Sequence, residues 1–300
     1  MKTKFQSPRG NFNGRNIRSI AFVLSCLLAP ISSQAGPVSE LYLTAGQENT
    51  ILVVQGSNVV RSWSVVHNNE YGIAVMGTVQ TTIGASGFLG SEYTLAGAYT
   101  GVTSTFPNLP GTAVYDGASD GTYIYAWDFN QNRALRFDPN WSNPVPLFSI
   151  GGSVGDFLGI TFDPSNDSLW ISGWNKSEIR DYSLTGQLLS SFSVSHNEIA
   201  ALALDPATGT LWSANRNEWG LFEEYSKTGQ LLSTQYYPEL SGMNVLGGEF
   251  QVPEPSSLIL LISAAGLVCL CRTGQNCRTS SRPIRRPHQG TATPVKNWTK

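Results

Sequence analysis

The sequence predicts an all-β body: a five-bladed β-propeller of four-stranded blades, closed by a C-terminal strand at 241–250. An N-terminal signal helix and a C-terminal membrane helix flank it. Three observations carry the prediction. The six residues TGQLLS occur twice, at Thr185–Ser190 and Thr228–Ser233. Turn signals with Asn or Gly in second place begin at 57, 100, 142, 185 and 228, in steps of 42 or 43 residues. The two ends of this 300-residue chain differ sharply in charge and hydropathy from its middle.

At the N-terminus, a basic segment precedes the apolar run Ile20–Ile31, and Ser33-Gln34-Ala35 offers small residues for cleavage after Ala35. This is the pattern of a secretory signal peptide, so residues 1–35 are expected to be removed by signal peptidase. The repeats begin just beyond. "ELYLTAG" at 40–46 aligns with the second strand of a blade, not the first. The clearest copy runs from "LGITFD" (158–163) through "SLWISGW" (168–174) into a hairpin around Thr185-Gly186. The next copy repeats it with "AALALD", "TLWSAN" and Thr228-Gly229. Alternating apolar positions on either side of a short Gly-containing turn specify a β-hairpin. Four strands in about 43 residues match one propeller blade. A blade cannot bury both of its faces alone, so neighbours must stack. The repeated Trp170 and Trp212 suit that packing, and so do the aromatics six to eight residues after each turn: Trp63, Phe106, Phe148, Phe192 and Tyr236. The opening copy lacks an innermost strand, while "SGMNVLGGEF" (241–250) remains unassigned at the far end. The economical solution lends that segment to the first blade and makes the body 36–251. The second blade is the least regular in sequence.

Charge narrows the partners. Residues 40–249 hold 20 acids against 7 Lys/Arg, a net charge near −13, while 1–35 and 255–300 are basic and carry no acid. An acidic body repels phosphate backbones, which argues against nucleic acid. Basic ends beside apolar runs suit segments that meet the inner membrane. All four cysteines (Cys26, Cys269, Cys271 and Cys277) lie outside 36–255. The body therefore has no disulfide framework and no Cys-based zinc site.

At the C-terminus, Val252-Pro253-Glu254-Pro255 precedes an apolar stretch from Leu258 to Cys271, and Arg272 follows. Its 14 to 16 apolar residues would make about 21–24 Å of helix, short of a ~30 Å hydrocarbon core. The basic residues beyond would hold the C-terminus in the cytoplasm. The arrangement resembles the PEP-CTERM sorting signal of bacterial proteins processed by exosortases. That resemblance implies a sorting segment at 252–272 with a short transmembrane helix. It also implies a membrane-anchored precursor, cut near the Pro-Glu-Pro and passed to the cell envelope or beyond. Residues 273–300 are Arg-, Pro- and Thr-rich, without apolar periodicity, and read as a disordered basic tail.

Candidate site residues cluster in the loops that lead into the first strand of each blade, which ring one mouth of a propeller channel. His67-Asn68-Asn69-Glu70 is echoed three repeats later by His196-Asn197-Glu198, and Asp156 and Glu239 fall at similar points. Such a polar, acidic rim can bind a cation or a hydroxyl-rich ligand. It can equally be solvated surface whose Asn and His side chains satisfy turn backbone. Trp174 and Trp219 lie in loops at the same mouth, where they can stack on sugar faces or pack blade edges. Asp163-Pro164 and Asp205-Pro206, with Asp116 placed as their counterpart in the third blade, read as turn formers. No P-loop, dinucleotide fingerprint, HExxH or GxSxG is present. The "D-P-x-x-x-L-W" turn followed by "TG" resembles NHL-like, streptogramin-lyase-like and quinoprotein-like propellers over about two blades (157–237). That likeness speaks for architecture and leaves activity open. The expected role is an exported binding or scaffold protein engaging extracellular polysaccharide. A lyase or hydrolase using a His/Glu rim is the alternative, and the sequence names no cofactor or metal.

Overall fold

The computed structural model of the chain describes residues 36–251, which form five antiparallel sheets of four strands each. The expected signal helix, the sorting residues Val252, Pro253, Glu254, Pro255 and Arg272, the membrane helix and the basic tail lie outside them. Blade 1 begins with β1 (Leu41–Ala45), β2 (Thr50–Gln55) and β3 (Asn58–Ser64). Blade 2 holds β4 (Gly72–Val75), β5 (Thr78–Thr82), β6 (Leu89–Thr94) and β7 (Tyr99–Thr105). Blade 3 holds β8 (Gly117–Ser119), β9 (Ile124–Asp128), β10 (Arg133–Asp138) and β11 (Ser142–Ser149). Blade 4 holds β12 (Phe157–Asp163), β13 (Ser168–Gly173), β14 (Glu178–Ser183) and β15 (Leu188–Ser193). Blade 5 holds β16 (Ile199–Leu204), β17 (Leu211–Asn215), β18 (Leu221–Tyr225) and β19 (Leu231–Tyr236).

The last strand, β20 (Val245–Phe250), closes the ring. It pairs antiparallel with β1, from Leu41 opposite Phe250 to Ala45 opposite Val245, and becomes the innermost strand of blade 1. The expected closing strand is thus present, with 241–244 serving as its lead-in. Burial falls from hub to rim as a propeller requires. Every residue of β16 is buried, so it reads as the unbroken apolar run IAALAL. The outermost β3 alternates exposed and half-buried residues along its whole length. Room at the axis is scarce. A Cβ on Gly247 would lie 2.3 Å from the Tyr71 carbonyl oxygen and 2.9 Å from that of Tyr115, so no larger residue fits there.

An inner strand has a hydrogen-bonded neighbour on one side only, and its other edge faces the axis. Two carboxylates satisfy that edge. Asp116 accepts from the N–H groups of Gly117 in β8, Gly248 in β20 and Ile160 in β12, at 2.8–3.0 Å. The Leu202 N–H of β16 also donates to it. Glu249 accepts from Val75 in β4 at 2.6 Å and from Ser119 in β8. Between them they touch the innermost strand of all five blades. Both are buried, at 0% and 4% exposure. Burial pushes both carboxyls well above the usual range, and the N–H donors oppose that without cancelling it.

The repeated TG has a packing origin. In blades 4 and 5 the turn glycine sits against the aromatic of the preceding blade's outer strand. Gly186 (φ 84°) meets Phe148, and Gly229 (φ 86°) meets Phe192; an added Cβ would lie 2.7 and 2.5 Å from the Cβ of that ring. Each outer-strand aromatic is thus a knob for the next blade's turn. Two turns depart from the 43-residue frame. In blade 2 the turn is Leu95-Ala96-Gly97, with Gly97 against Trp63, while Thr100 and Gly101 lie inside β7. In blade 3 the turn is Pro139-Asn140-Trp141, ahead of Ser142 and Asn143. There Trp141 replaces the glycine and packs on Phe106 of blade 2, with ring centroids 6.5 Å apart. At the closure it is Tyr237, not Tyr236, that is buried, and its hydroxyl donates to the Gly56 carbonyl at 2.7 Å. Asp116 is also not the counterpart of Asp163 and Asp205. Asp120 is, since it follows β8 and accepts from Thr122 N and Tyr123 N at 2.7 Å.

These contacts make a testable distinction between glycines. Gly186→Ala meets both an unfavourable backbone, worth roughly 1–2 kcal/mol, and the Phe148 ring. Gly209→Ala meets only the backbone term, because nothing lies within 4 Å of its Cβ position. Thermal unfolding should show Gly186→Ala losing clearly more stability than Gly209→Ala. Equal losses would remove the knob-and-turn account.

Candidate functional site: a blind aromatic pocket at the channel mouth

Two sets of loops share one face of the propeller. One set leads into each innermost strand, and the other joins the second and third strands of each blade. Where they converge on the axis they line an open cavity of about 270 Å³, formed by Gln47, Tyr71, Tyr115, Phe129, Leu158, Trp174, Arg216, Asn244 and Leu246. The aromatic residues form a continuous edge-to-face chain around the wall. Tyr71 and Tyr115 stand 5.7 Å apart at 78°, Tyr115 and Phe129 5.4 Å at 87°, and Phe129 and Trp174 6.4 Å at 80°. Such T-shaped packing is the favourable arrangement of ring quadrupoles. Asp116 and Glu249 fill the axis below, so the pocket is blind. On the opposite face the cavity is only about 70 Å³ and is lined mainly by Phe162, Pro164, Leu204, Pro206 and Phe250.

Backbone hydrogen bonds within and between blades hold the wall. Phe129 donates to Ala113 O at 2.9 Å and accepts from Gly155 N at 3.1 Å. Trp174 donates to Asp156 O at 2.8 Å and accepts from Glu198 N at 2.7 Å. Arg216 then donates to Glu198 O at 3.2 Å. Glu198 takes a positive φ of 56° to make both contacts. Asp156 and Glu198 therefore serve the pocket through their backbone. The Asp156 carboxylate turns back to Ser153 N at 2.9 Å, with Lys176 Nζ at 3.6 Å.

The other candidates from the sequence are dispersed. Glu70 is fully buried in blade 2, where it accepts from His67 N at 3.0 Å, Ser91 Oγ at 2.7 Å, Tyr93 OH at 3.2 Å and Thr81 Oγ1. His67 and Asn68 line a separate rim cavity with Val66, Phe88 and Leu89. His196 Nδ1 donates to the Asn197 carbonyl at 2.8 Å, and its Nε2 lies 2.5 Å from Glu223 Oε2. Glu223 also accepts from Tyr225 OH at 2.7 Å. Trp219 is 40% exposed and lies under the Arg216 guanidinium, 4.6 Å from ring centroid to carbon. Glu239 is exposed in the turn Pro238–Leu240. Among the described residues, no three His, Cys, Asp or Glu side chains stand close enough together to hold a metal. Asp163 and Asp205 accept from Ser165 N and Ala207 N, as turn formers do, and Asp205 also ties down Val38 and Ser39.

The sequence reading missed Tyr71, Tyr115, Phe129, Arg216 and Asn244. The repeat contained a signal for most of them. Tyr71, Tyr115, Leu158 and Leu246 hold one position of the blade, and Phe129, Trp174 and Arg216 hold another, with Gln47 one residue past its counterpart Gly46. Comparing residues across blades at a fixed phase would have gathered them at the mouth.

The His196–Glu223 pair predicts a pH signature. Burial alone lowers the imidazole pKa, but the Glu223 and Asn197 hydrogen bonds and the Glu223 charge outweigh it, and the net shift is upward. Burial raises Glu223, and its His196 and Tyr225 bonds reverse that to a net lowering. The histidine's contribution is therefore complete below the ordinary imidazole pKa and lost as pH rises through its raised value. The glutamate's is complete above the ordinary carboxylate pKa and lost as pH falls through its lowered value. His196→Gln should cost more stability at pH 6 than at pH 9 by urea unfolding. An equal cost at both would show that the pair carries no charge.

No family model matches the sequence. No curated protein matches it either. Solved structures do. The chain is similar to a chain of a nidogen/laminin complex, with a TM-score of 0.50 and 13% identity over 71% of this chain and 98% of that one. It also matches a streptogramin B lyase structure at a TM-score of 0.44 and 16% identity, covering 68% of this chain and 70% of that one. A Bacteroides thetaiotaomicron protein of unknown function matches at 0.48 and 16%, covering 73% and 70%. At these identities the likeness is one of fold. The class defined by fold and site together is a five-bladed β-propeller with a blind aromatic pocket at one mouth.

Proposed function

We propose that this chain is an exported binding protein of the cell envelope, and that its channel-mouth pocket holds a sugar residue of extracellular polysaccharide. The observation that carries the reading is the wall of Tyr71, Tyr115, Phe129 and Trp174 around a blind cavity. Aromatic rings bury the apolar faces of a sugar while amides and water serve its hydroxyls. Gln47 and Asn244 stand in the same wall. About 270 Å³ lies at the small end of ligand sites and suits one ring of a longer chain. The signal-peptide pattern, the cysteine-free acidic body and the resemblance to PEP-CTERM proteins support export. On this reading, signal peptidase and an exosortase-type enzyme process the two ends, and the body is membrane-anchored before release to the envelope or beyond.

The engaged carboxylate of Glu70 and the paired imidazole of His196 favour binding over a lyase or hydrolase built on those rim residues. The test is a glycan-binding screen of the full chain. Trp174→Ala should weaken the best ligand about tenfold or more, in line with an aromatic contact worth ~1.4 kcal/mol. Binding that survives this substitution unchanged would place the ligand elsewhere.

A further inference from the structure

The pocket wall contains a charge with no counter-charge. Arg216 Nε and Nη1 are buried and have no hydrogen-bond partner. No acid lies within ion-pair distance of Arg216 among the described residues, although the body is strongly acidic. The other arginines of the body that form ion pairs do so with Glu40, Asp128 or Glu178. Trp219 packs against the Arg216 guanidinium, 4.6 Å from carbon to ring centroid, without neutralising it. In the same wall, Asn244 is 7% exposed and its side chain hydrogen-bonds the Tyr71 side chain, while its Oδ1 has no donor. Buried polar groups left unpaired cost about 1–3 kcal/mol each, so their presence in a pocket wall calls for a partner.

We infer that the sugar bound at this mouth carries a carboxylate: a uronic acid residue of an acidic polysaccharide. The inference rests on the glycan reading above and names the chemistry of that same site. A planar carboxylate matches the planar guanidinium, so two parallel charge-assisted bonds can form between them. The ring stacks on the aromatic wall formed by Phe129 and Trp174. Arg216 thereby acts as the specificity residue, selecting acidic over neutral sugars, while the aromatics supply affinity common to both.

The experiment titrates the full chain with a galacturonate trisaccharide and, separately, with the matched neutral galactose trisaccharide. Binding is read by calorimetry and tryptophan fluorescence, for the unaltered chain and for Arg216→Gln, Arg216→Lys and Trp174→Ala. Thermal unfolding of each variant confirms the fold. The acidic ligand should bind at least tenfold more tightly than the neutral one, and its affinity should fall as salt rises. Arg216→Gln should remove most of that preference by weakening the acidic ligand at least tenfold more than the neutral one, and Arg216→Lys should keep part of it. Trp174→Ala should weaken both ligands. Equal affinities for the two sugars, unaffected by Arg216→Gln but reduced by Trp174→Ala, would overturn the carboxylate inference and leave the glycan pocket standing. Failure of both sugars to bind, or insensitivity of both to Trp174→Ala, would overturn the pocket reading and this inference together.

Discussion

The fold turns on the inner edges of its five innermost strands. In an open sheet such edges would pair with another strand or with water. Here they converge on an axis too narrow for a further strand, and at Gly247 too crowded for a Cβ. Asp116 reaches across that axis from blade 3 to blade 1, which is not its neighbour in the ring, and also to blades 4 and 5. Glu249 adds blade 2. Two side chains thus bind together strands that share no sheet. The cost is two buried carboxyls, which burial drives toward the neutral form.

The same hub gives the mouth its character. With the axis filled from within, the loops above it line a pocket with a floor instead of a pore. The blade boundaries then orient the pocket's wall. Each aromatic loop is hydrogen-bonded to the lead-in loop of the next blade, so the position of Trp174 depends on the docking of blade 5 on blade 4. The Asp and Glu residues of those lead-in loops contribute backbone geometry, with Glu198 at positive φ linking Trp174 to Arg216. Structure and site are continuous here: the contacts that stack the blades also set the spacing of the rings.

Much of this was legible from the repeat. The number of blades, the strands of blades 4 and 5 and the loan of a C-terminal strand to blade 1 all follow from a period of about 43 residues and two incomplete ends. The turns of blades 2 and 3 were not. Both keep the knob-and-socket contact but shift it, with Gly97 arriving early and Trp141 replacing glycine outright. A search for Gly or Asn at a fixed phase finds Gly101 and Asn143 instead, which lie within strands. Asp116 was misplaced for a related reason, since its role depends on the axis and leaves no mark in local sequence. For the site, His and acid residues drew attention because their chemistry is conspicuous. The residues that line the pocket are mostly aromatic, and aromatic residues in a propeller usually signify core. What separates Tyr71, Tyr115, Phe129 and Trp174 from the buried Trp170 and Trp212 is their position at strand ends, which only the register reveals.

The hub is open to direct measurement by native-state hydrogen exchange. The amides of Val75, Gly117, Ser119, Ile160, Leu202 and Gly248 face the axis and have a carboxylate as their acceptor. If Asp116 and Glu249 lock the five blades into one cooperative unit, these amides exchange only through global unfolding, with the same free energy in every blade. If they exchange through separate local openings, blade by blade and well below the global value, the two carboxylates do not hold the ring together.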